Sequence, residues 1–149
     1  NPEGKNHIRV ETNGHGRVIE IKADKLERID GIRDLNQQRK CCLLKDGKSG
    51  DDAGHGIARE FGAPREQFNL FPMNKEVNRF MSCKDSGMTT YRFMEGKIEK
   101  AMDSGYGISE YRIRTTYNDD SFRPASFNVA YRVDGRPTYF HIKNPVLAA

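Results

Sequence analysis

The sequence predicts an α+β domain, one mainly antiparallel β-sheet with a helical segment inserted in its middle. Three observations carry that prediction. Residues 7–12 and 108–117 alternate apolar and polar side chains with the period of a strand. Between them Tyr91, Met94, Ile98 and Met102 recur three and four apart, the spacing of one helix face. Asp134-Gly135 separates two further strand-like runs, a strong signal for a two-residue hairpin loop.

Taken in order, residues 7–12 predict a first strand and Arg17 to Ile21 a second, joined through the turn cluster Asn13-Gly14-His15-Gly16. Lys22 to Asp34 is charged and lacks a clean apolar stripe, so it reads as irregular chain or a short helix. Arg39 to Leu44 is a short apolar run, read as a buried strand. Lys45 to Gly50 supplies loop chemistry, and Asp52 to Ala58 resumes as extended chain. A strand-turn-strand ending near His55 would put that histidine at the edge of a hairpin. Gly62, Pro64 and Pro72 exclude a continuous helix over 59–73. Asn74 is suited to cap a short helix over 75–81, with Val77, Phe80 and Met81 behind it. A longer helix follows from about Met88 to Met102, with Glu95 on its inward face. Ile108 to Tyr117, Ser126 to Val133 and Pro137 to Ile142 complete the sheet.

The 149 residues predict a single domain over 1–149 with a real core. Lys and Arg exceed Asp and Glu by 25 to 21, a net charge of +4 that permits a polyanionic partner without demanding one. No apolar run approaches the ~18 residues needed to span a bilayer. Cys41, Cys42 and Cys83 make neither a disulfide framework nor a CxxC metal spacing, so they read as structural thiols in a reducing setting. The chain begins at Asn1 rather than Met, which predicts a fragment or processed product whose targeting segment lies outside it.

The chemistry concentrates in Asp51-Asp52-Ala53-Gly54-His55-Gly56-Ile57-Ala58-Arg59, followed by Asn69 and Asn78 at 14 and 23 residues beyond the histidine. Histidine titrates nearest neutrality and is the natural acceptor of a proton from water. Gly54 and Gly56 strip side chains from both its sides, which would let a bulky substrate approach, and Asp52 can orient its ring. An asparagine offers a neutral carbonyl oxygen, suited to a hard cation that keeps most of its waters. Arg39, Arg59, Arg79 and Arg92 could stabilise charge at a phosphate. Taken one by one, each of these residues also has an ordinary reading as turn residue, helix-surface amide or solvated charge.

As an ordered set they reach a family. Asp52-Ala53-Gly54-His55 resembles the Asp-Arg-Gly-His motif of the DNA/RNA non-specific endonucleases, the Serratia nuclease type with a ββα-metal finger. The resemblance continues through residues 56–64, Asn69-Leu70-Phe71-Pro72-Met73, Asn78 and Tyr91-Arg92-Phe93-Met94-Glu95. It is similar above all to the bacterial branch found as C-terminal toxin domains of polymorphic secreted proteins, whose Tyr…Arg-Pro pattern is matched by Tyr117 and Arg123-Pro124.

The resemblance implies an antiparallel sheet core with an inserted ββα-metal finger and one longer helix. It implies that His55 is the general base and that Asn78 is the sole direct protein ligand of Mg²⁺, with Mn²⁺ as an alternative. Asn69 would support the site, Glu95 would act on the metal's hydration water, and Asp52 would orient its neighbours. Ala53 stands where the motif carries arginine, so Arg59 or Arg39 is expected to supply that charge; Met73 stands where glutamine is frequent. The catalytic set is then His55, Asp52, Asn69 and Arg59, the metal set Asn78 and Glu95, and the substrate contacts Arg39, Arg79 and Arg92. The implied activity is sequence-nonspecific hydrolysis of DNA, with RNA as a further substrate. The implied setting is a secreted or delivered effector acting in a target cell's cytoplasm, restrained by a cognate immunity protein. A non-catalytic nucleic-acid-binding module, using the arginine-bearing strands around 112–132, is the alternative.

Overall fold

The computed structural model describes residues 8–28, 45–62, 67–81 and 89–146. Five strands form one antiparallel sheet: β1 (Ile8–Thr12), β2 (Val18–Leu26), β5 (Ile108–Thr116), β6 (Ser126–Val133) and β7 (Arg136–Lys143), in the order β1-β2-β5-β6-β7. Between β2 and β5 the chain inserts a separate two-stranded unit, β3 (Asp51–His55) paired with β4 (Leu70–Asn74), then the short helix α1 (Lys75–Arg79) and the longer α2 (Tyr91–Asp103). The α+β class with an inserted ββα unit is therefore the observed architecture.

Alternation makes the main sheet one-sided. Ile21, Ile113 and Val129 oppose one another across β2, β5 and β6, and all three are buried. Onto this face α2 lays Tyr91, Met94 and Ile98, each fully buried and worth about 1.5–3 kcal/mol of transfer free energy. Thr90 starts α2 by accepting the Phe93 N–H at 3.0 Å. The inserted unit joins the same core through Phe71, whose ring meets Phe127 edge-on at 5.6 Å, while Tyr91 meets Phe127 the same way at 5.4 Å. One aromatic ring of the sheet thus holds both the finger and the helix.

The Asp134-Gly135 loop closes β6 on β7 with both residues at positive φ, 47° and 83°, the geometry its sequence signals. Two expectations need correction. The charged stretch from Lys22 does not leave the sheet: β2 runs to Leu26, because Lys22 and Ala23 pair with both β1 and β5, Lys25 and Leu26 pair with β5, and only Ala23 and Leu26 of this stretch are buried. Among the described residues the partner of the His55 strand is β4, downstream of it, although Pro72 sits in mid-strand. Pro72 is tolerated because, among the described residues, β4 pairs on one side only, so no second described neighbour asks for the missing N–H. The strand expected over Arg39 to Leu44 and all three cysteines lie outside the described residues.

Candidate active site

The β3–β4–α1 finger is built around Asp52. Its carboxylate accepts Arg79 Nε and Nη2, both at 2.6 Å, and Asn78 Nδ2 at 3.0 Å. Partial burial pushes this carboxyl up, but the guanidinium and the amide outweigh it and hold Asp52 below the ordinary carboxylate range. Asp52 is thus a fixed anion that sets the orientation of the Asn78 amide. With Nδ2 spent on Asp52, Asn78 Oδ1 lies over Gly54, and no donor among the described residues reaches it. A Cβ placed on Gly54 would stand 3.1 Å from that oxygen and 2.8 Å from Met73 Cε. Gly54 therefore gives the Asn78 oxygen and the Met73 methyl the room that a Cβ would take.

His55 ends β3 opposite Leu70 and is half-buried. The two residues after it are held from three directions. Gly56 N donates to the Asn69 carbonyl at 2.8 Å, and the Asn69 side chain closes a reciprocal pair on Ile57, accepting its N–H and donating to its C=O, each at 2.8 Å. Asn69 is fully buried with both amide groups spent on backbone, so it acts as a brace behind the histidine and meets no ligand. The Gly56 carbonyl accepts Tyr91 Oη at 2.5 Å and Tyr111 Oη at 3.2 Å. Burial drives both phenols well above the ordinary tyrosine value, so they remain hydrogen-bond donors throughout the working pH range.

The two glycines flanking His55 do not open it to a substrate in the way their sequence suggests. Both are buried, and their missing side chains make room for protein: Met73 and Asn78 at Gly54, and Phe71, Ile113 and Asn69 at Gly56. Gly54 allows tight packing within the finger, and Gly56 also allows the finger's close approach to Ile113 of the sheet.

Glu95 lies half-buried on α2, and its charge adds to the burial that raises the phenols of Tyr91 and Tyr111. Arg92, three residues earlier, reaches along α2 to Glu99 at 3.0 and 3.3 Å. Glu60 shares that cluster: burial, then its hydrogen bond to Glu99, raises its carboxyl above the ordinary value. Arg79 keeps 60% of its side chain exposed while bound to Asp52. Arg39 and the side chain of Arg59 lie outside the described residues. The sequence reading missed the work of Tyr91 and Tyr111, because a tyrosine at a core position reads as packing until its hydroxyl's partner is seen.

Among the described residues no three His, Cys, Asp or Glu side chains converge as a metal cage. What the finger does bring together is the Asn78 amide and the carboxylate that orients it, with His55 three residues along the same strand from Asp52. Fold and site together define an α+β protein of the ββα-finger class. A model of the DNA/RNA non-specific endonuclease family matches residues 3–135, and the chain belongs to that family.

Among its relatives are the type VII secretion system protein EssD of Staphylococcus aureus strains USA300 and NCTC 8325 / PS 47. Each is 31% identical over 133 residues, covering 89% of this chain. The chain spans only 21% of the length of those proteins. Among solved structures, NucA from Streptococcus agalactiae with magnesium bound superposes with a TM-score of 0.69 at 16% identity, over 97% of this chain and 72% of that one. Sda1 nuclease with bound zinc gives 0.69 at 12% identity, over 94% and 74%. At such identities the structural likeness speaks for the shared fold.

Proposed function

We propose that this chain hydrolyses phosphodiester bonds of DNA, and of RNA, without sequence preference, using His55 as general base and Asn78 as the one direct protein ligand of a divalent cation. The single observation that carries this reading is the Asn78 amide, anchored through Nδ2 on Asp52 with Oδ1 unpartnered above Gly54. That donor suits a hard, largely hydrated ion such as Mg²⁺ or Mn²⁺, which needs few protein ligands. The family membership supports the reaction class, and the magnesium in NucA and zinc in Sda1 support a divalent ion in this fold.

When bound, the cation supplies Lewis-acid stabilisation of charge on the phosphate and the leaving oxygen. The remaining work falls to the chain. His55 takes the proton from the attacking water, held in place by the Asn69 and Tyr91–Tyr111 bonds behind it. Asp52 fixes the metal-binding amide and holds Arg79 beside it, an exposed guanidinium available to the phosphate. Glu95 adds a carboxylate acceptor on the α2 side for the ion's hydration water. Arg59 and Arg39 remain our candidates for the charge that Ala53 lacks, and Arg92 for a further phosphate contact.

The EssD likeness supports a secreted role, and we extend it to a toxin domain delivered into a target cell and held in check by an acidic immunity protein. Purified protein incubated with plasmid DNA and with RNA, with Mg²⁺ and with chelator, tests the activity. His55→Ala should fold normally and lose ~10²–10⁴ in rate. A loss of only a few-fold would remove His55 from the role, and binding without cleavage would leave the non-catalytic module standing.

A further inference from the structure

The Arg123-Pro124 pair has no part in the chemistry above, yet its arginine is 7% exposed and fully engaged. Arg123 Nε and Nη2 grip the Asp51 carboxylate at 2.7 and 2.9 Å, while Nη1 and Nη2 donate to the carbonyls of Asn144 and Pro145 at 2.8 and 3.0 Å. Asn144, 2% exposed, donates Nδ2 to Pro72 and Pro124 carbonyls at 3.0 and 2.7 Å, and its Oδ1 accepts Asn74 N at 2.8 Å. Asn74 Nδ2 in turn donates to the Pro145 carbonyl at 3.0 Å.

Asp51 and Asn74 are register partners, the first residue of β3 and the last of β4. Arg123 and the 144–145 segment therefore grip both strands across the base of the finger. Asn74 is also the cap of α1, its Oδ1 accepting Glu76 N at 2.8 Å. A five-residue helix is too short to hold its own direction. The direction of α1, and with it Asn78 four residues past the cap, is set from this clamp and from Asp52.

We propose that Arg123 and Asn144 are positioning residues for the metal-binding amide of Asn78. Residues 144–145 then belong to the functional unit although the family match ends at residue 135. The proposal rests on Asn78 being the metal ligand, and its test separates the two.

The experiment is equilibrium Mn²⁺ binding, read by the spin resonance of free Mn²⁺, in a His55→Ala parent that does not consume substrate. Asn144→Ala should weaken Mn²⁺ binding about tenfold, the scale of an outer-shell loss. Asp51→Ala with Arg123→Ala, which removes both buried charges together, should do the same without stranding either one. Ile142→Val, in the adjoining strand β7 but facing the core, serves as the control for lost stability and should leave binding unchanged. In an Asn78→Ala background, Asn144→Ala should have no further effect on Mn²⁺ binding. Unchanged Mn²⁺ affinity in both clamp variants, or equal weakening by Ile142→Val, overturns the positioning role while Asn78 stands. A parent that binds no Mn²⁺, or binds it equally well with Asn78→Ala, overturns the metal reading and this proposal with it.

Discussion

Replacing Asp52 by asparagine keeps the shape of the finger and removes its charge. Three bonds are at stake, two from Arg79 and one from Asn78. Because 60% of the Arg79 side chain is exposed, its guanidinium returns to water cheaply, and the pair is worth only ~0.2–1 kcal/mol. The Asn78 bond adds about 0.5–1.5 kcal/mol. A total near 1–2 kcal/mol lowers the melting temperature by about 3–6 °C in a chain of this size. The functional effect should be larger than the structural one. An asparagine at 52 can present its own N–H₂ to Asn78 Oδ1, letting that amide turn over and spend the oxygen meant for the ion. Divalent-ion affinity should then fall ~10–100-fold, measured as the half-saturating Mg²⁺ for plasmid cleavage and as direct Mn²⁺ binding.

Acid offers an independent check of sign. The folded Asp52 carboxyl is held below its unfolded value, so its stabilisation is complete above about pH 4 and disappears as pH falls through the folded value. The melting gap between wild type and Asp52→Asn should therefore narrow as pH falls below about 4. A gap that stays constant with pH, or an unchanged metal requirement, would refute the assignment of Asp52 as the anchor of Asn78.

Two other substitutions probe the same site from different sides. Gly54→Ala puts a methyl 2.8 Å from Met73 Cε and 3.1 Å from Asn78 Oδ1. It should cost about 1–3 kcal/mol by overpacking and weaken metal binding; adding Met73→Ala should relieve the crowding at Met73 yet leave the metal defect, as thermal melts and Mn²⁺ titration would show. Tyr91→Phe removes the shorter of two bonds to the Gly56 carbonyl, costing about 1–2 kcal/mol. Its rate should drop with little change in KM or in metal affinity, because the carbonyl it releases sits beside His55 and not beside Asn78; steady-state kinetics on a defined oligonucleotide separates these.

Much of the fold could be read because local chemistry and tertiary structure agree in it. The Asp134-Gly135 loop, the Asn74 cap and the Tyr91–Met94–Ile98 stripe each demand one geometry, and each receives it. The misreadings have a common cause. Lys22 to Leu26 looks too polar for a strand, and Pro72 looks wrong for one, until the ladder neighbours are known: β5 alongside β2 as far as Leu26, and among the described residues β3 alone beside β4. Neighbour count is a property of topology, and no window of sequence contains it.

The site divides along the same line. His55, Asn78 and Asp52 lie within a short span, so a motif can carry them, and the structure does bring the last two into contact. The groups that hold them come from far along the chain: Tyr91 and Tyr111 reach Gly56 across 35 and 55 residues, and Arg123 reaches Asp51 across 72. Their side chains are ordinary core tyrosines and a basic residue before a proline, types whose commonest roles are packing and solvation. What distinguishes them is the buried atom at the other end of each bond, a backbone carbonyl or a carboxylate that water cannot serve. The departure at Ala53 sharpens the point. With no guanidinium at that position, the one the described structure holds against Asp52 comes from Arg79, on the helix that also carries Asn78. The Arg79 charge and the Asn78 amide are therefore fixed by a single carboxylate, and under the proposed function Asp52 is the residue through which the finger's electrostatics and its ligand geometry are coupled.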